Sequence, residues 1–597
     1  MSKSDLVQEW EAKIKDGKEV RDTWIKTFRI ADLDKYYEGF QRPSNWVEDD
    51  FFAVNLINPN IREQMDSLYA RDPEFIVKPK TTQLPVTPEV TKFLELQGTL
   101  RQSAINYLFK EKRYRKEIKR ALYDAFVKFG VVKTYYEPYL EGNEKAGENF
   151  LDKNQLPVID RQTGEELKQP NELLVKEVFE VKRRNPLCII FDPWADSIEN
   201  CKWIAEEVEY TVEEIKNNDL FKNTEDIKAT SIIRTGEGDQ LKQKEKIRKK
   251  GDKLEGKRTT SFWGEKGEYD EQEVVTLYEI YDIENNQIIV IADGHELELR
   301  EDPTPNGIEG HPYEFLIFQN RSDCAYPIPE IFNQLDVQDE YNITRNQIVL
   351  HRKRYGRKYE CEEGAYHEDE LSKLEEPYDG IIIKRKNGAH KLTAIEDPGL
   401  DQATYFDTQQ LKGDFLDIAG GIGEGQFSKI EKATVAAGVE KRAQARRSGK
   451  EVEFYDFLSS ISSKLLMLLE EEMTLPMSIS VVGPAGQQWQ SLHQGDINSL
   501  HSEFTHNVVI GSTSPRNLDS DRSSWLAFLQ ILGASPMIGA SEHLLRITAE
   551  MFYITDEVLI QELLVISQKM QEQAAEQGQL GKPGVNVPGQ GAQAGGQ

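Results

Sequence analysis

The sequence has few cysteines, few histidines and no long apolar run. Its 597 residues include four cysteines and nine histidines, and no two cysteines form a CxxC pair. This usage, together with an N-terminal segment that lacks a basic flank and an apolar core, predicts a reduced, cytosolic and non-secreted protein. No apolar stretch approaches the roughly 20 residues that span a bilayer. We therefore expect no contact with a membrane.

Sequence patterns of common catalytic and nucleotide sites are also missing. The chain contains no GKS or GKT, no GxSxG and no HExxH, so neither a P-loop, nor a serine hydrolase, nor a zinc protease is indicated. The stretch "HEDE" at 367–370 holds one imidazole and three carboxylates, which are donors that divalent cations accept. An exposed acidic loop is the alternative, because these neighbouring side chains need not converge. We expect no cofactor and no enzymatic activity.

Acidic residues outnumber basic ones. There are 103 acidic and 74 basic residues, and the formal net charge is -29. Such a chain repels polyanions at long range, so it can handle DNA only through geometry or a few local cations. The basic run at 241–260 has almost no apolar anchor and is typical of a solvated, mobile loop, with a nucleic-acid contact as the alternative.

Hydrophobic periodicity predicts a mixed α+β first half. Residues 1–135 have a helical pattern, with one helix that "RDP" at 71–73 stops and a second helix at about 88–130 that Gly130 ends. The apolar stripe of the second helix runs from Phe93 to Phe126. Alternating patterns then predict strands within 177–210 and 272–294.

A polar helix is predicted at 326–354. It is entered through Pro329, and Ile331, Leu335, Ile343 and Leu350 form its apolar side. So polar a helix is unsuited to the centre of a monomer's core, and we expect it to pack on like neighbours or to line a wet surface. Its other sides carry Gln334, Gln338, Asp339, Asn342 and Asn346.

Further elements follow in a clear order. Asn387-Gly388 stands between alternating residues at 379–395, which predicts a β-hairpin. A helix at 400–420 comes next, and a glycine-rich stretch separates it from a long helix at 434–473 whose buried stripe includes Phe454 and Leu465. A mixed segment at 478–533 and helices at 541–553 and 556–575 precede a Gly, Gln and Pro tail that we expect to be disordered.

The glycine-rich stretch "GGIGEGQFSKIEK" at 420–432 raises the question of a phosphate cradle. A dinucleotide fingerprint needs GxGxxG directly after a strand, whereas Gly421, Gly423 and Gly425 form GxGxG after a helix. The context therefore argues against a nucleotide site. Glycine also supplies flexibility and unusual φ, which favours a mobile loop.

The order of mixed α/β region, polar helix, hairpin-bearing insertion, second helix, glycine-rich loop and long helix resembles the portal proteins of tailed bacteriophages. The segments "FLIFQNRSDCAYPIPEIFNQLDVQDEYNITRNQIVLHRKR", "EPYDGIIIKRKNGAHKLTAIEDPG", "DQATYFDTQQLKGDFLDIAG" and "GIGEGQFSKIEK" carry the resemblance. So do the long helix after them, "NLINPNIREQMDSLYARDPEFIVKPK" and "FDPWADS". Together they cover most of the chain from about 50 to 575.

The resemblance implies a division of the chain into portal domains. We expect an N-terminal wing part at 1–320, a first stem helix at 321–354, a clip at 355–399, a second stem helix at 400–419, a channel loop at 420–433, a long kinked wing helix and the following wing segment at 434–533, crown helices at 534–575, and a disordered tail at 576–597. Asn387 and Gly388 would belong to the clip. The channel loop would present Gly421, Gly423, Gly425, Gln426, Lys429 and Lys432.

The resemblance also implies a function. A homo-oligomeric ring, usually of twelve subunits, would stand at one capsid vertex of the virion and conduct double-stranded DNA during packaging and ejection. The portal itself would not be the ATPase, because the terminase large subunit would dock on the clip and hydrolyse ATP. Major capsid, scaffold and tail adaptor proteins would be further partners, and assembly would take place in the host cytoplasm. Lys429 and Lys432 would make transient phosphate contacts, or face a neighbouring subunit or solvent.

Two other interpretations stay open from the sequence. One is a different phage structural connector, although such proteins are usually shorter and lack this order of elements. The other is a cytosolic enzyme with a metal site at 367–370.

Overall fold

The computed structural model of the protein describes most of the chain up to residue 513. The described residues are 4–43, 46, 51–80, 88–143, 145–149, 168, 170–236, 239–246, 269–305, 308, 310–354, 359–373, 382–388, 390–395, 402–420, 433–483, 486–492, 504–509, 512–513 and isolated positions between 523 and 566. Helices and antiparallel sheets alternate along the chain, so the fold is of the α+β class, as the periodicity predicts.

Most helices of the described chain lie before residue 128 or between residues 335 and 472. The helices are α1 Asp5–Thr27, α2 Ile30–Glu38, α3 Ile57–Leu68, α4 Pro88–Lys112, α5 Arg115–Val127, α6 Val212–Lys216, α7 Leu335–Arg354, α8 Glu368–Ser372, α9 Gln402–Ala419 and α10 Ala433–Glu472.

Strands occupy the middle of the chain and short segments elsewhere. The strands are β1 Phe75–Pro79, β2 Gly130–Gly142, β3 Glu172–Arg183, β4 Ile189–Phe191, β5 Trp203–Thr211, β6 Ser231–Gly236, β7 Asp239–Lys246, β8 Tyr269–Asp282, β9 Gln287–Ala292, β10 Arg300–Pro303, β11 Tyr313–Leu316, β12 Tyr359–Glu360, β13 Thr393–Ala394, β14 Met477–Gly483, β15 Gly486–Leu492 and β16 Phe504–Val508.

The largest sheet has seven strands and is antiparallel throughout. Its main path is β10-β9-β8-β5-β4, and the long strand β8 also pairs with β6, which in turn pairs with β7. A second sheet has the order β11-β2-β3, and β1 pairs with β16 across more than 400 positions of sequence. The strands predicted within 177–210 and 272–294 are thereby confirmed.

Helix α1 covers one face of the seven-stranded sheet. Val7, Trp10 and Ile14 pack on Ile190, Trp203 and other apolar residues of the strands. The approach is close at Gly17, where an added Cβ would lie 2.6 Å from Ile190 Cγ2. Glycine is required here because no side chain fits between the helix and the sheet.

Helix α10 is the central element of the larger of two hydrophobic clusters, which we call the main core. Its predicted stripe is confirmed, since Phe454, Leu458, Ile461, Leu465 and Leu468 are each exposed by 2% or less. The helix packs on β16, β11 and β2 and also on α3 and α4. It therefore ties the N-terminal helices to both smaller sheets.

The helix predicted at 88–130 is two helices. Arg113 has φ 55, a left-handed conformation that ends α4 and redirects the chain into α5. Tyr114 is buried at the bend and donates to the carbonyl of Phe179 at 2.5 Å. Phe93, which was predicted on the buried stripe, is 42% exposed.

Other sequence predictions have mixed outcomes. Helix α3 ends at Leu68, just before "RDP", as predicted. The basic run at 241–260 is not wholly a loop, because 241–246 belong to β7, which pairs with β6. The rest of that run, the tail at 576–597 and, apart from isolated positions, the helices predicted at 541–553 and 556–575 lie outside the described residues. The four cysteines are free.

Candidate functional site: helices α7 and α9 and their flanking segments

Helices α7 and α9 pack against each other and flank the segments that the sequence analysis singled out. The chain enters α7 through a 3-10 turn at Phe332–Gln334, where Phe332 N–H donates to the carbonyl of Pro329 at 3.1 Å. Ile331 N–H donates to Phe126 O at 3.1 Å, which fixes the start of this unit on the end of α5. The position of α7 is therefore set by the main core.

One face of α7 carries three amide side chains at intervals of four residues. Gln338, Asn342 and Asn346, which we call the amide ladder, lie on one side because residues four apart share a helix face. Their side-chain oxygens accept the backbone N–H groups of Leu56, Val54 and Phe52, at 2.9, 2.9 and 2.8 Å respectively. The helix thus holds an extended segment, residues 51–56, which we call the strap.

The periods of the two elements match. Four helical residues rise about 6 Å, and two extended residues advance about 6.6 Å. Successive amides of the ladder therefore face every second residue of the strap. Gln338 and Asn346 also donate to the carbonyls of Val54 and Phe52, both at 2.8 Å, so these amides replace a neighbouring strand.

The ladder is buried and its polar groups are paired. Gln338, Asn342 and Asn346 are exposed by 0%, 0% and 1%. Asn342 donates to the side-chain oxygen of Gln41 at 2.7 Å, and Gln41 donates to Tyr36 O at 2.8 Å. Burying amides is tolerated because these bonds replace the bonds to water.

Gln334 and Asp339 do not belong to the amide ladder. Gln334 lies in the 3-10 turn and is 2% exposed, and its side-chain oxygen has no hydrogen-bond partner within the described part of the chain. Asp339 accepts the hydroxyl of Tyr36 at 2.7 Å. Burial raises the pKa of Asp339, and burial together with Asp339 raises the pKa of Tyr36 to about 12.

The expectation for this polar face was wrong within the protomer. The sequence led us to expect like neighbours or a wet surface, yet the amides are covered by the chain's own strap. Meanwhile Ile343 and Leu350, expected on the apolar side, are only half-buried, whereas Ile331 and Leu335 are buried. Amphipathic reasoning failed because backbone groups of a distant segment satisfy the amides.

Helix α9 has apolar side chains on two opposite faces. Phe415 and Ala419 are buried, at 1% and 2% exposure. Phe406 is 65% exposed, and it precedes Phe415 by nine residues, or two and a half helical turns, so it lies on the opposite side. The core of the protomer covers one of these faces only.

The C-terminal end of α9, where the glycine-rich connection begins, is anchored to an inner part of α10. Helix α9 is followed by Gly420 at φ 76, and the Arg446 guanidinium donates to the carbonyl of Asp417. A cation at a helix C-terminus is favourable because the last carbonyls are unpaired and the helix dipole is negative there. One turn later, Lys450 binds Glu330 at 2.5 Å, which joins α10 to the entry of α7.

Helix α10 extends well beyond the end of α9. Ala433 precedes Arg446 by thirteen residues, so at 1.5 Å per residue the first part of α10 runs about 20 Å past this anchor. The connection must therefore reach from Gly420 to a distant helix start. Residues Gly421, Gly423, Gly425, Gln426, Lys429 and Lys432 lie outside the described residues.

The hairpin predicted at 379–395 forms only in part. Asn387 and Gly388 form a turn, and Gly388 has φ 88. The residues before the turn, 382–386, are not a strand, and β13 pairs instead with β12 at Tyr359–Glu360. Residues of the α8 region compete for these backbone groups, since Glu370 accepts Lys384 N–H at 2.9 Å. The adjacent Lys386 N–H donates to the Ala365 carbonyl at 3.1 Å.

The acidic stretch at 367–370 does not gather metal donors. Glu370 faces Lys373 at 2.7 Å as well as the backbone of Lys384, and these contacts lower its pKa. Within the described ranges, no three His, Cys, Asp or Glu side chains converge.

Sequence reasoning missed the ladder and its strap. The signal was present, because amides recur at 334, 338, 342 and 346 with a strict period of four. What the sequence did not contain was the identity of the partner, which lies almost 300 positions earlier. No helix among the described residues is long and apolar enough to cross a membrane.

No protein-family model matches the chain. No curated protein matches it significantly.

Proposed function

We propose that the chain is a portal protein of a tailed bacteriophage, a subunit of a ring through which double-stranded DNA is packaged and later ejected. The observation that carries the proposal is the succession α7, small β12–β13 module, α9, glycine-rich connection and 40-residue α10. In this proposal α7 and α9 are the two stem helices. The segment at 355–399 is the clip, and the connection at 420–433 is the channel loop.

The burial pattern of the two helices supports assembly. Helix α7 hides its amides and leaves Ile343 and Leu350 half-exposed, while α9 exposes Phe406 on the side opposite Phe415. Apolar groups left open on packed helices are typical of surfaces that a further copy covers. We propose that neighbouring subunits, twelve in the complete ring, cover these faces.

The placement of the connection supports a conduit. It joins the anchored end of α9 to a helix start about 20 Å away, and its glycines permit movement. A ring of such loops could follow DNA, with Lys429 and Lys432 making brief phosphate contacts. The acidity of the chain as a whole would keep a polyanion from being captured on the wall, because a net charge of -29 repels DNA and opposes the gain from counterion release.

The remaining assignments follow from the same proposal. The wing would comprise residues 1–320 and 434–533, and the crown 534–575. The clip would dock the terminase large subunit and tail adaptors, while other surfaces would contact the major capsid and scaffold proteins. The ring would be built in the host cytoplasm and reside at the capsid vertex of the virion, with no enzymatic activity of its own.

The assembly claim is tested at Phe406. Burying a phenylalanine contributes about 1.5–3 kcal/mol, and a carboxylate in its place would have to be desolvated at every interface of the ring. We expect Phe406→Asp to leave the protomer folded and to shift native mass spectra from ring to protomer. The matched control is Leu220→Asp, at another residue that is more than half exposed. Rings of Phe406→Asp as abundant as those of the wild type would contradict the assignment.

The conduit claim is tested in the loop. Gly423→Pro with Gly425→Pro removes rotation about φ and should reduce the DNA packaged per capsid, while ring mass stays unchanged. Gly423→Ala with Gly425→Ala is the control, since alanine keeps the backbone N–H and much of the freedom. Normal packaging by the proline variant would refute a moving loop.

The clip claim is tested by deletion. A ring that lacks 381–395 should still assemble but lose its binding to terminase, and retained binding would refute the assignment. The alternatives predict other results. A different phage connector would show no role in packaging, and a metal-dependent enzyme would carry a stoichiometric metal in purified protein.

A further inference from the structure

A groove outside the proposed conduit concentrates positive charge. It has a volume of about 560 Å³ and lies where α3, α5 and the end of β3 meet. Five Lys or Arg residues and two Asp residues line it, and Asp66 and Glu117 beside it pair with two of the cations, so the groove with these partners has one net positive charge in a chain whose net charge is -29. Cations gathered in a cleft attract anions locally, even in a protein that is acidic as a whole.

Two ion pairs form the inner part of the groove. Lys128 contacts Asp34 at 2.6 Å, and Arg183 donates to Asp124 at 2.9 Å. Lys128 and Asp124 are 6% and 1% exposed, so these pairs are fixed in the protein. They are neutral as pairs, so the cations open to an added anion are the remaining three.

The outer wall of the groove carries these three cations. Lys116, Lys119 and Arg120 stand at i, i+3 and i+4 on α5, so their side chains emerge on one face of the helix. Lys119 contacts Asp66 and Arg120 contacts Glu117, but these pairs are exposed at the surface. Exposed pairs contribute at most about 1 kcal/mol, so a stronger anion can replace the carboxylates.

Lys116 is the most available of the three cations. It is exposed and makes no ion pair or side-chain hydrogen bond within the part of the chain that the structure describes. Together the three side chains offer eleven N–H donors, three on each ammonium and five on the guanidinium. A phosphate group, with several acceptor oxygens and up to two charges, uses such a set better than one carboxylate does.

We infer that this groove binds phosphate groups, supplied either by a DNA backbone or by a free di- or triphosphate. The inference stands on the groove alone and does not depend on ring formation. The groove would also let an acidic chain contact a polyanion, because its few cations are grouped in one place.

The test uses the full-length protein and two probes. Pyrophosphate binding is measured by calorimetry, and binding of a labelled 16-base-pair duplex is measured by anisotropy over a series of salt concentrations. The test variant is Lys116→Gln with Lys119→Gln and Arg120→Gln. The control is Lys13→Gln with Lys15→Gln and Lys26→Gln, which makes the same charge change on α1. Glutamine keeps helix propensity in both.

We expect the test variant to weaken binding at low salt by at least tenfold and the control to match the wild type. If the duplex is the ligand, the slope of log K against log salt should fall by about 0.9 for each lost phosphate contact, hence by about 2–3. Binding of pyrophosphate without the duplex would identify a small phosphate ligand. Wild-type protein that binds neither probe, or a test variant that binds like wild type, would overturn the inference, and neither result would bear on the ring.

Discussion

Replacing Asn342 with alanine should release the strap from helix α7. Asn342 accepts the N–H of Val54 at 2.9 Å and donates to Gln41 at 2.7 Å, and it is fully buried. The substitution would leave a backbone donor and a side-chain oxygen without partners. Each such group costs about 1–3 kcal/mol when it stays buried. Two groups, one of them only half-buried, give about 2–4 kcal/mol.

The assay is local because a chain of 597 residues does not unfold in one step. Native-state hydrogen exchange reports the opening of individual amides. A loss of about 2–4 kcal/mol corresponds to exchange at Val54 that is about 30-fold to 1000-fold faster. The amides of Phe52 and Leu56, which donate to Asn346 and Gln338, should also exchange faster, because the strap opens as a unit.

Gln347→Ala is the matched control. Gln347 is an exposed amide on the same helix, and it reproduces the gain in helix propensity that any change to alanine brings. In the Gln347→Ala variant we expect the amides of the strap to exchange at the wild-type rate. If Asn342→Ala did the same, the ladder would not hold the strap, and the explanation for its burial would be refuted.

Three further predictions concern the core. Gly17→Val should destabilise the protein by about 1–3 kcal/mol in denaturant unfolding, since its side chain would collide with Ile190. Arg101→Ala should cost about 3–5 kcal/mol, because Glu470 would keep a buried charge without the guanidinium 2.8 Å away. Burial and then Lys464 lower the pKa of His311 to about 3. Unfolding restores it to about 6.5, so stability should fall as the pH drops from 6.5 towards 3, and less so in His311→Phe.

Each of these has a control and a contrary result. Gly142→Val adds a side chain where nothing lies within 4 Å, and it should be near neutral. Arg101→Met combined with Glu470→Leu should recover most of the loss, and a double variant as unstable as the single one would argue against an uncompensated charge. An unchanged pH slope in His311→Phe would show that this imidazole is not neutral in the folded state.

Local pattern predicted the elements whose residues face one way. The apolar stripe of α10 and the strands of the seven-stranded sheet were predicted because the spacing of apolar residues in the sequence agrees with their burial in the structure. Helix α3 ends close to the predicted stop, although the chain already leaves the helix at Tyr69 and Pro73 restricts only its neighbour Asp72. In these places sequence spacing alone carries the information.

Pattern failed where a distant segment supplies the partner. The amides of α7 predicted packing on like neighbours or a wet surface, and only the three-dimensional placement of residues 51–56 explains their burial. The break at Arg113 and the pairing of β13 with β12 likewise depend on tertiary contacts. The cations of the α5 groove are spread among ordinary helical lysines and arginines, so their grouping in one cleft appears only after α3 and β3 are placed beside α5.

The most direct test of the portal proposal is the mass and symmetry of the purified wild-type protein, from native mass spectrometry and class-averaged electron micrographs. The proposal predicts a closed ring of about twelve subunits whose central opening admits duplex DNA, which is about 20 Å wide. A protein that stayed a compact monomer even with scaffold and capsid proteins present would contradict it.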